Sequence, residues 1–125
     1  AAHGIQADVL VADLARDEDI THVAQAIEGM DDLTLLINNA GFGTRGSFVE
    51  VSMARHLDMV RVHDAASVAL SWAAAPRLVA RGGGAMINVS SVASFFPSGG
   101  SVVYTASKVF LNNFSEALAT ELGRA

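Results

Sequence analysis

Tyr104 and Lys108 are the only tyrosine and the only lysine in this 125-residue chain. They sit four positions apart in the stretch YTASK, so on a helix they share a face. A phenol has a reference pKa of about 10 and is a poor acid or base near neutrality. An ammonium beside it favours the phenolate and lowers that value. Proton transfer is most efficient when the pKa approaches the working pH. A Tyr-x-x-x-Lys turn can therefore make a catalytic phenol, although any helix holding one of each residue can show the same spacing. Ser91 lies thirteen residues before Tyr104, where an apolar stretch ends. Its hydroxyl can hydrogen-bond a carbonyl oxygen that Tyr104 protonates, or it can simply cap a turn. Ser90 is the neighbouring candidate, but strand alternation directs only one of the two to a given face.

Two further places have the right chemistry for a ligand. In NNAG, residues 38–41, two amides leave an apolar run and the two smallest residues follow. Small residues let a flat ligand approach the backbone, and Asn38 and Asn39 can tie neighbouring strand ends together. Asp13 ends another apolar run. It can accept a hydrogen bond from an exocyclic amine, or it can serve as a helix N-terminal charge or cap.

The elements that must position these residues are legible from pattern. ADVLVADL (7–14) reads as a buried strand. Residues 16–30 carry acids in the first turn and Ile20, Val23, Ala24 and Ile27 at helical spacing, with Gly29 as a stop, which predicts a helix. LTLLINNAG (33–41) predicts a second strand, and GFGTRGS (41–47) a loop. Residues 52–81 predict one long alanine-rich helix, with Pro76 near its end as a place to kink. GGGAMINVSS (82–91) predicts a breaker and a third strand, followed by a loop. Residues 104–122 place Leu111, Phe114, Leu118 and Leu122 on one stripe of a final helix. Short apolar strands alternating with helices imply an α/β fold with a parallel sheet covered on both faces. Ligands of such sheets bind beyond the carboxyl ends of the strands, where Asp13, Asn38 to Gly41, Ser90 and Ser91 lie.

Composition narrows the function classes. The chain is 51% hydrophobic with a formal net charge of −5, enough for one modest domain with a core. Seven arginines are scattered singly, with no basic patch for nucleic acid or an anionic membrane. No cysteine is present, which removes disulfides and thiolate metal sites. His3, His22, His56 and His63 show no zinc-ligand spacing, so no metal is expected. No apolar run reaches membrane-spanning length and no signal-peptide pattern opens the chain, so the expectation is a cytoplasmic protein.

The markers together, ADL at 12–14, NNAG at 38–41, INVSS at 87–91 and YTASK at 104–108, resemble the short-chain dehydrogenase/reductase family, in the family's order and over nearly the whole chain. The resemblance implies a partial Rossmann-like, doubly wound parallel sheet, with three strands alternating with helices. It implies NAD or NADP as cofactor and interconversion of a small-molecule alcohol and its carbonyl compound. It assigns Tyr104 as acid/base, Lys108 as the residue that lowers its pKa and holds the nicotinamide ribose, and Ser91 as the group orienting the substrate oxygen. Asp13 would meet the adenine, and Asn38, Asn39, Ala40 and Gly41 would line the adenosine side. It also implies a homo-dimer or homo-tetramer built through the 52–81 and 104–122 helices.

Two departures qualify the resemblance. The family usually carries an asparagine in the middle of the long helix, where it completes the catalytic set and holds a relay water. His63 stands there. A histidine can hydrogen-bond a water through either nitrogen, or it can pack between helices with a nitrogen satisfied. The family's glycine-rich phosphate turn and its later substrate region have no counterpart in these residues. The chain thus reads as an internal segment, 1–125, of one NAD(P)-binding domain, about half the family's usual length. The alternative is a truncated, inactive Rossmann-like remnant with a binding or oligomerisation role.

Overall fold

The computed structural model describes residues 4–123, so His3 lies outside it. Helix α1 spans Asp17–Glu28, with Asp17, Glu18 and Asp19 in its first turn, where carboxylates offset the positive end of the helix dipole. Strand β1 (Leu35–Asn38) pairs in parallel with β2 (Ala85–Asn88) in a register that sets Leu36 beside Met86 and Asn38 beside Asn88. The crossover between them runs through α2 (Met53–Val60), a wide π-turn (Arg61–Ala65) and α3 (Ala66–Ala80). A short 3-10 turn (Val92–Phe95) then leads into α4 (Val102–Leu122).

The core lies on one face of this sheet. Leu36 on β1, Ile27 on α1, and Leu70, Ala73, Ala74 and Leu78 on α3 form one buried cluster, with Val23, Ala24, Leu33 and Met86 packed at its margin. Each fully buried Leu or Ile contributes about 1.5–3 kcal/mol relative to exposure. The alanines let α3 come close to the sheet and to α1, and Leu111 on α4 is buried as well.

The alternation of the strands puts Leu35, Ile37 and Ile87 on the opposite face, where they are exposed. The expectation of a sheet covered on both faces is thus met on one face only among the described residues. The expected first strand, 7–14, also differs. It joins no ladder among the described residues, and Val9 and Val11 are 87% and 90% exposed. An apolar run becomes a strand only when a neighbour supplies backbone partners, and no described segment lies alongside to do so.

The 52–81 helix is interrupted where the sequence predicts continuity. Ser52 caps α2 by accepting from the Arg55 N–H, and the helix then widens at 61–65, where the Ala66 N–H donates to the Arg61 carbonyl. Such wide turns inside helices are frequent at functional positions. Pro76 sits inside α3, which continues to Ala80.

Candidate active site

The parallel strands end together, and the chemistry gathers at that end. Lys108, on α4, is 5% exposed and its Nζ donates to the Val89 carbonyl, just past β2, at 2.8 Å. The same Nζ lies 5.7 Å from the centroid of the Tyr104 ring. Burial lowers the Lys108 pKa, opposed by its attraction to Tyr104 and to Asp64. An ammonium has three N–H donors. Only the bond to Val89 is made among the described residues, so two donors remain for another oxygen-rich group.

Tyr104 stands in the first turn of α4, half-buried. Its ring meets His63 edge-on at 5.7 Å. The loop after β1 also comes up to it: a Cβ on Gly43 would lie 3.7 Å from Tyr104 Cδ2.

His63 is 1% exposed, directed inward by the π-turn. The Phe42 N–H donates to its Nε2 at 3.0 Å, which leaves the ring proton on Nδ1, 2.8 Å from Ser107 Oγ. Burial and, next, the Lys108 charge hold its pKa down to about 4, so the imidazole is neutral near pH 7. Both nitrogens are taken by protein groups, and neither is left for a water. The close approach depends on Gly41, where a Cβ would fall 2.8 Å from Nε2.

The serines after β2 separate as alternation requires. Ser90 Oγ donates to the Lys108 carbonyl at 2.9 Å and anchors α4. Ser91 Oγ accepts from the Ala93 N–H at 3.2 Å, capping the 3-10 turn, and its own O–H hydrogen stays available to donate.

The asparagine exits brace the sheet. Asn38 Nδ2 donates to Asn88 Oδ1 at 2.8 Å and to Ser71 Oγ at 3.3 Å. Asn88 Nδ2 donates in turn to Ser115 Oγ at 2.9 Å. One network thereby joins β1, β2, α3 and α4. Asn39, Ala40 and Gly41 are exposed and leave the strand exit open. Asp13 is exposed too, and its Oδ1 accepts from the Ala15 N–H at 3.1 Å, a turn ahead of α1 and not a helix cap, since the N-cap residue is Arg16.

Sequence reasoning missed Asn88, Ser71, Ser107 and Asp64. Asn88 had a signal, a second asparagine ending a second apolar strand. Ser71, Ser107 and Asp64 act through contacts across long sequence separations, and nothing local marks them. Asp64 Oδ1 is buried without a hydrogen-bond partner, and burial raises its pKa to about 6 against the pull of Lys108. No group of side chains able to hold a metal ion occurs among the described residues.

The family model described as short chain dehydrogenase matches residues 1–125. A gluconate 5-dehydrogenase of Gluconobacter oxydans is 32% identical over 98% of this chain and 48% of its own length. A 2,5-dichloro-2,5-cyclohexadiene-1,4-diol dehydrogenase of Sphingobium indicum is 38% identical over 79% of this chain and 40% of its own. Among solved structures, a short-chain dehydrogenase from Sphingobium yanoikuyae in complex with NADPH superposes with a TM-score of 0.93 at 33% identity, over 98% of this chain and 48% of that one. The chain belongs to the short-chain dehydrogenase family and carries part of its Rossmann fold. It spans about half the length of the relatives it matches.

Proposed function

We propose that this chain is the central, catalytic part of an NAD(P)-dependent oxidoreductase that interconverts a small-molecule alcohol and its ketone or aldehyde, with Tyr104 as the acid/base. The observation that carries this reading is the buried Lys108 ammonium, fixed on the Val89 carbonyl 5.7 Å from the Tyr104 ring, at the carboxyl ends of the strands. Relatives described in complex with NADPH or NADP support a nicotinamide cofactor, NAD or NADP being left open. That cofactor, when bound, supplies or accepts the hydride.

The residues present fit such a group. Lys108 has two N–H donors to offer to ribose hydroxyls. The exposed residues Asn39 to Gly41 leave room for a flat ring system, and Asp13, exposed in the turn before α1, would meet the adenine. In reduction, Tyr104 donates its phenolic proton to the developing alkoxide, and in oxidation it takes the proton back. Lys108 sets its ammonium beside the Tyr104 ring. Ser91 turns its O–H hydrogen to the substrate oxygen and fixes its distance from Tyr104, so the reacting groups meet already oriented. His63 takes the place where the family has asparagine.

We assign residues 1–125 to one partial NAD(P)-binding domain. The phosphate-seating turn and the substrate region belong to parts of the protein outside these residues. The half-length match and the uncovered sheet face support this division. The complete enzyme is then cytoplasmic and assembles as a homo-dimer or homo-tetramer through the 52–81 and 104–122 helices, on which Trp72 (70% exposed) and Phe110 stand open.

Turnover of a panel of ketones with NADH and NADPH, and of alcohols with NAD+ and NADP+, by the complete protein tests the reading. Reduction of at least one ketone is expected, together with weak cofactor binding by residues 1–125 alone. Absence of any nicotinamide oxidation across the panel, or turnover by the isolated 125 residues, contradicts it.

A further inference from the structure

A continuous line of hydrogen bonds runs from the loop after β1 to the backbone of Tyr104. The Phe42 N–H donates to His63 Nε2 at 3.0 Å. His63 Nδ1–H donates to Ser107 Oγ at 2.8 Å, and the Ser107 O–H donates to the Tyr104 carbonyl at 2.9 Å. Each direction is forced, because an amide N–H can only donate and a carbonyl can only accept. His63 and Ser107 are 1% and 3% exposed, so water does not compete for these bonds. Helical serines commonly bond the carbonyl of the preceding turn. Here Ser107 Oγ, while donating to that carbonyl, also accepts a hydrogen bond from His63 on a different element.

We propose that Ser107 is a positioning residue which, with His63, sets the placement of Tyr104 by holding its carbonyl to the loop that follows β1. The inference rests on the reading of Tyr104 as the acid/base. The backbone of Tyr104 fixes where its phenol emerges, and His63 also meets the phenol ring edge-on. The ring is thus held at its root and on its side by one imidazole. A small displacement of a reacting group is costly because catalysis depends on a near-attack geometry. Neither Ser107 nor His63 has to touch substrate. Their contribution appears in the chemical step and not in cofactor affinity.

The test measures kcat, KM and cofactor Kd in the complete protein for Ser107→Ala, His63→Leu, His63→Gln and the double variant Ser107→Ala/His63→Leu. Ser107→Ala and His63→Leu should each lower kcat by about tenfold, the worth of a lost buried hydrogen bond, with cofactor Kd within about twofold of the parent. The double variant should be no slower than the slower single one, because one line has been cut twice. His63→Gln can still accept at one atom and donate at the other and should recover most of kcat. Full kcat in Ser107→Ala, or losses that multiply in the double variant, would overturn the proposal. If Ser107→Ala folds poorly, the contrast of His63→Gln with His63→Leu decides the same question: equal kcat in the two is the contrary result. Tyr104→Phe, assayed alongside, separates the two failures. A Tyr104→Phe variant that keeps most of its kcat removes the acid/base reading and this inference with it. A dead Tyr104→Phe beside a fully active Ser107→Ala removes this inference alone.

Discussion

His63 and Asp64 are adjacent, and burial acts on their protonation in opposite directions. His63 is held to about 4 in the folded chain against 6.5 unperturbed. Its contribution to stability is present above the unfolded value and is lost as the pH falls toward 4. Asp64 is raised to about 6 from 3.8, so its contribution is present at low pH and is lost as the pH rises through 6. Lys108 opposes the Asp64 shift but does not offset burial, and Oδ1 has no hydrogen-bond partner. Asp64→Asn should therefore raise stability at pH 7 by roughly 1–3 kcal/mol, with the gain vanishing near pH 4. Urea unfolding midpoints at the two pH values check this, and an equal gain at both would contradict it. At this scale the sequence shows part of the site. Tyr104 and Lys108 declare themselves because their relation is local, one helical turn. Ser107 stands in the same stretch, yet its role depends on an imidazole from another helix, and no local pattern contains that contact.

The loop and the π-turn fit together only because of a glycine. Gly41 lies so close to His63 that a methyl group there would meet Nε2 at 2.8 Å. Gly41→Ala should displace the imidazole, break the bond from Phe42 and cost about 1–3 kcal/mol. Thermal unfolding of Gly41→Ala alone and in a His63→Ala background checks the cause. The cost should shrink once the imidazole is gone, and an unchanged cost would place the strain elsewhere. Gly84 is tight for another reason: a Cβ there would fall 2.9 Å from the Thr34 carbonyl and 2.5 Å from Leu78 Cδ2, where β2 enters the sheet. Helix α1, strands β1 and β2, and helix α4 fall where periodicity places them, because each has a continuous apolar stripe or run. The π-turn does not, since 52–81 is helix-favouring throughout and the widening comes from packing. The 7–14 run fails for a different reason: it has strand composition, but pairing is a tertiary event.

Across the whole molecule, one face of the sheet stays open, with Leu35, Ile37 and Ile87 about half exposed. Val9 and Val11 stand open beside the fold, and Trp72 and Phe110 face outward from the helices. Contiguous apolar surface of this kind drives association. Residues 1–125 in isolation should therefore associate progressively with concentration, whereas the complete protein should settle at a defined dimer or tetramer. Light scattering over a concentration series distinguishes the two, and a monodisperse monomer of the isolated chain would contradict the division proposed here. The fold class was readable from strand–helix alternation and from the markers in order, while the open face was not, because what packs against a strand is decided by tertiary contacts that no local pattern contains. The central claim is that Tyr104, with Lys108 beside it, transfers the proton. Its most direct test is kcat of Tyr104→Phe in the complete protein, measured with cofactor Kd. The account predicts a fall in kcat of about a hundredfold to ten-thousandfold with the Kd nearly unchanged, and a variant that kept most of its kcat would contradict it.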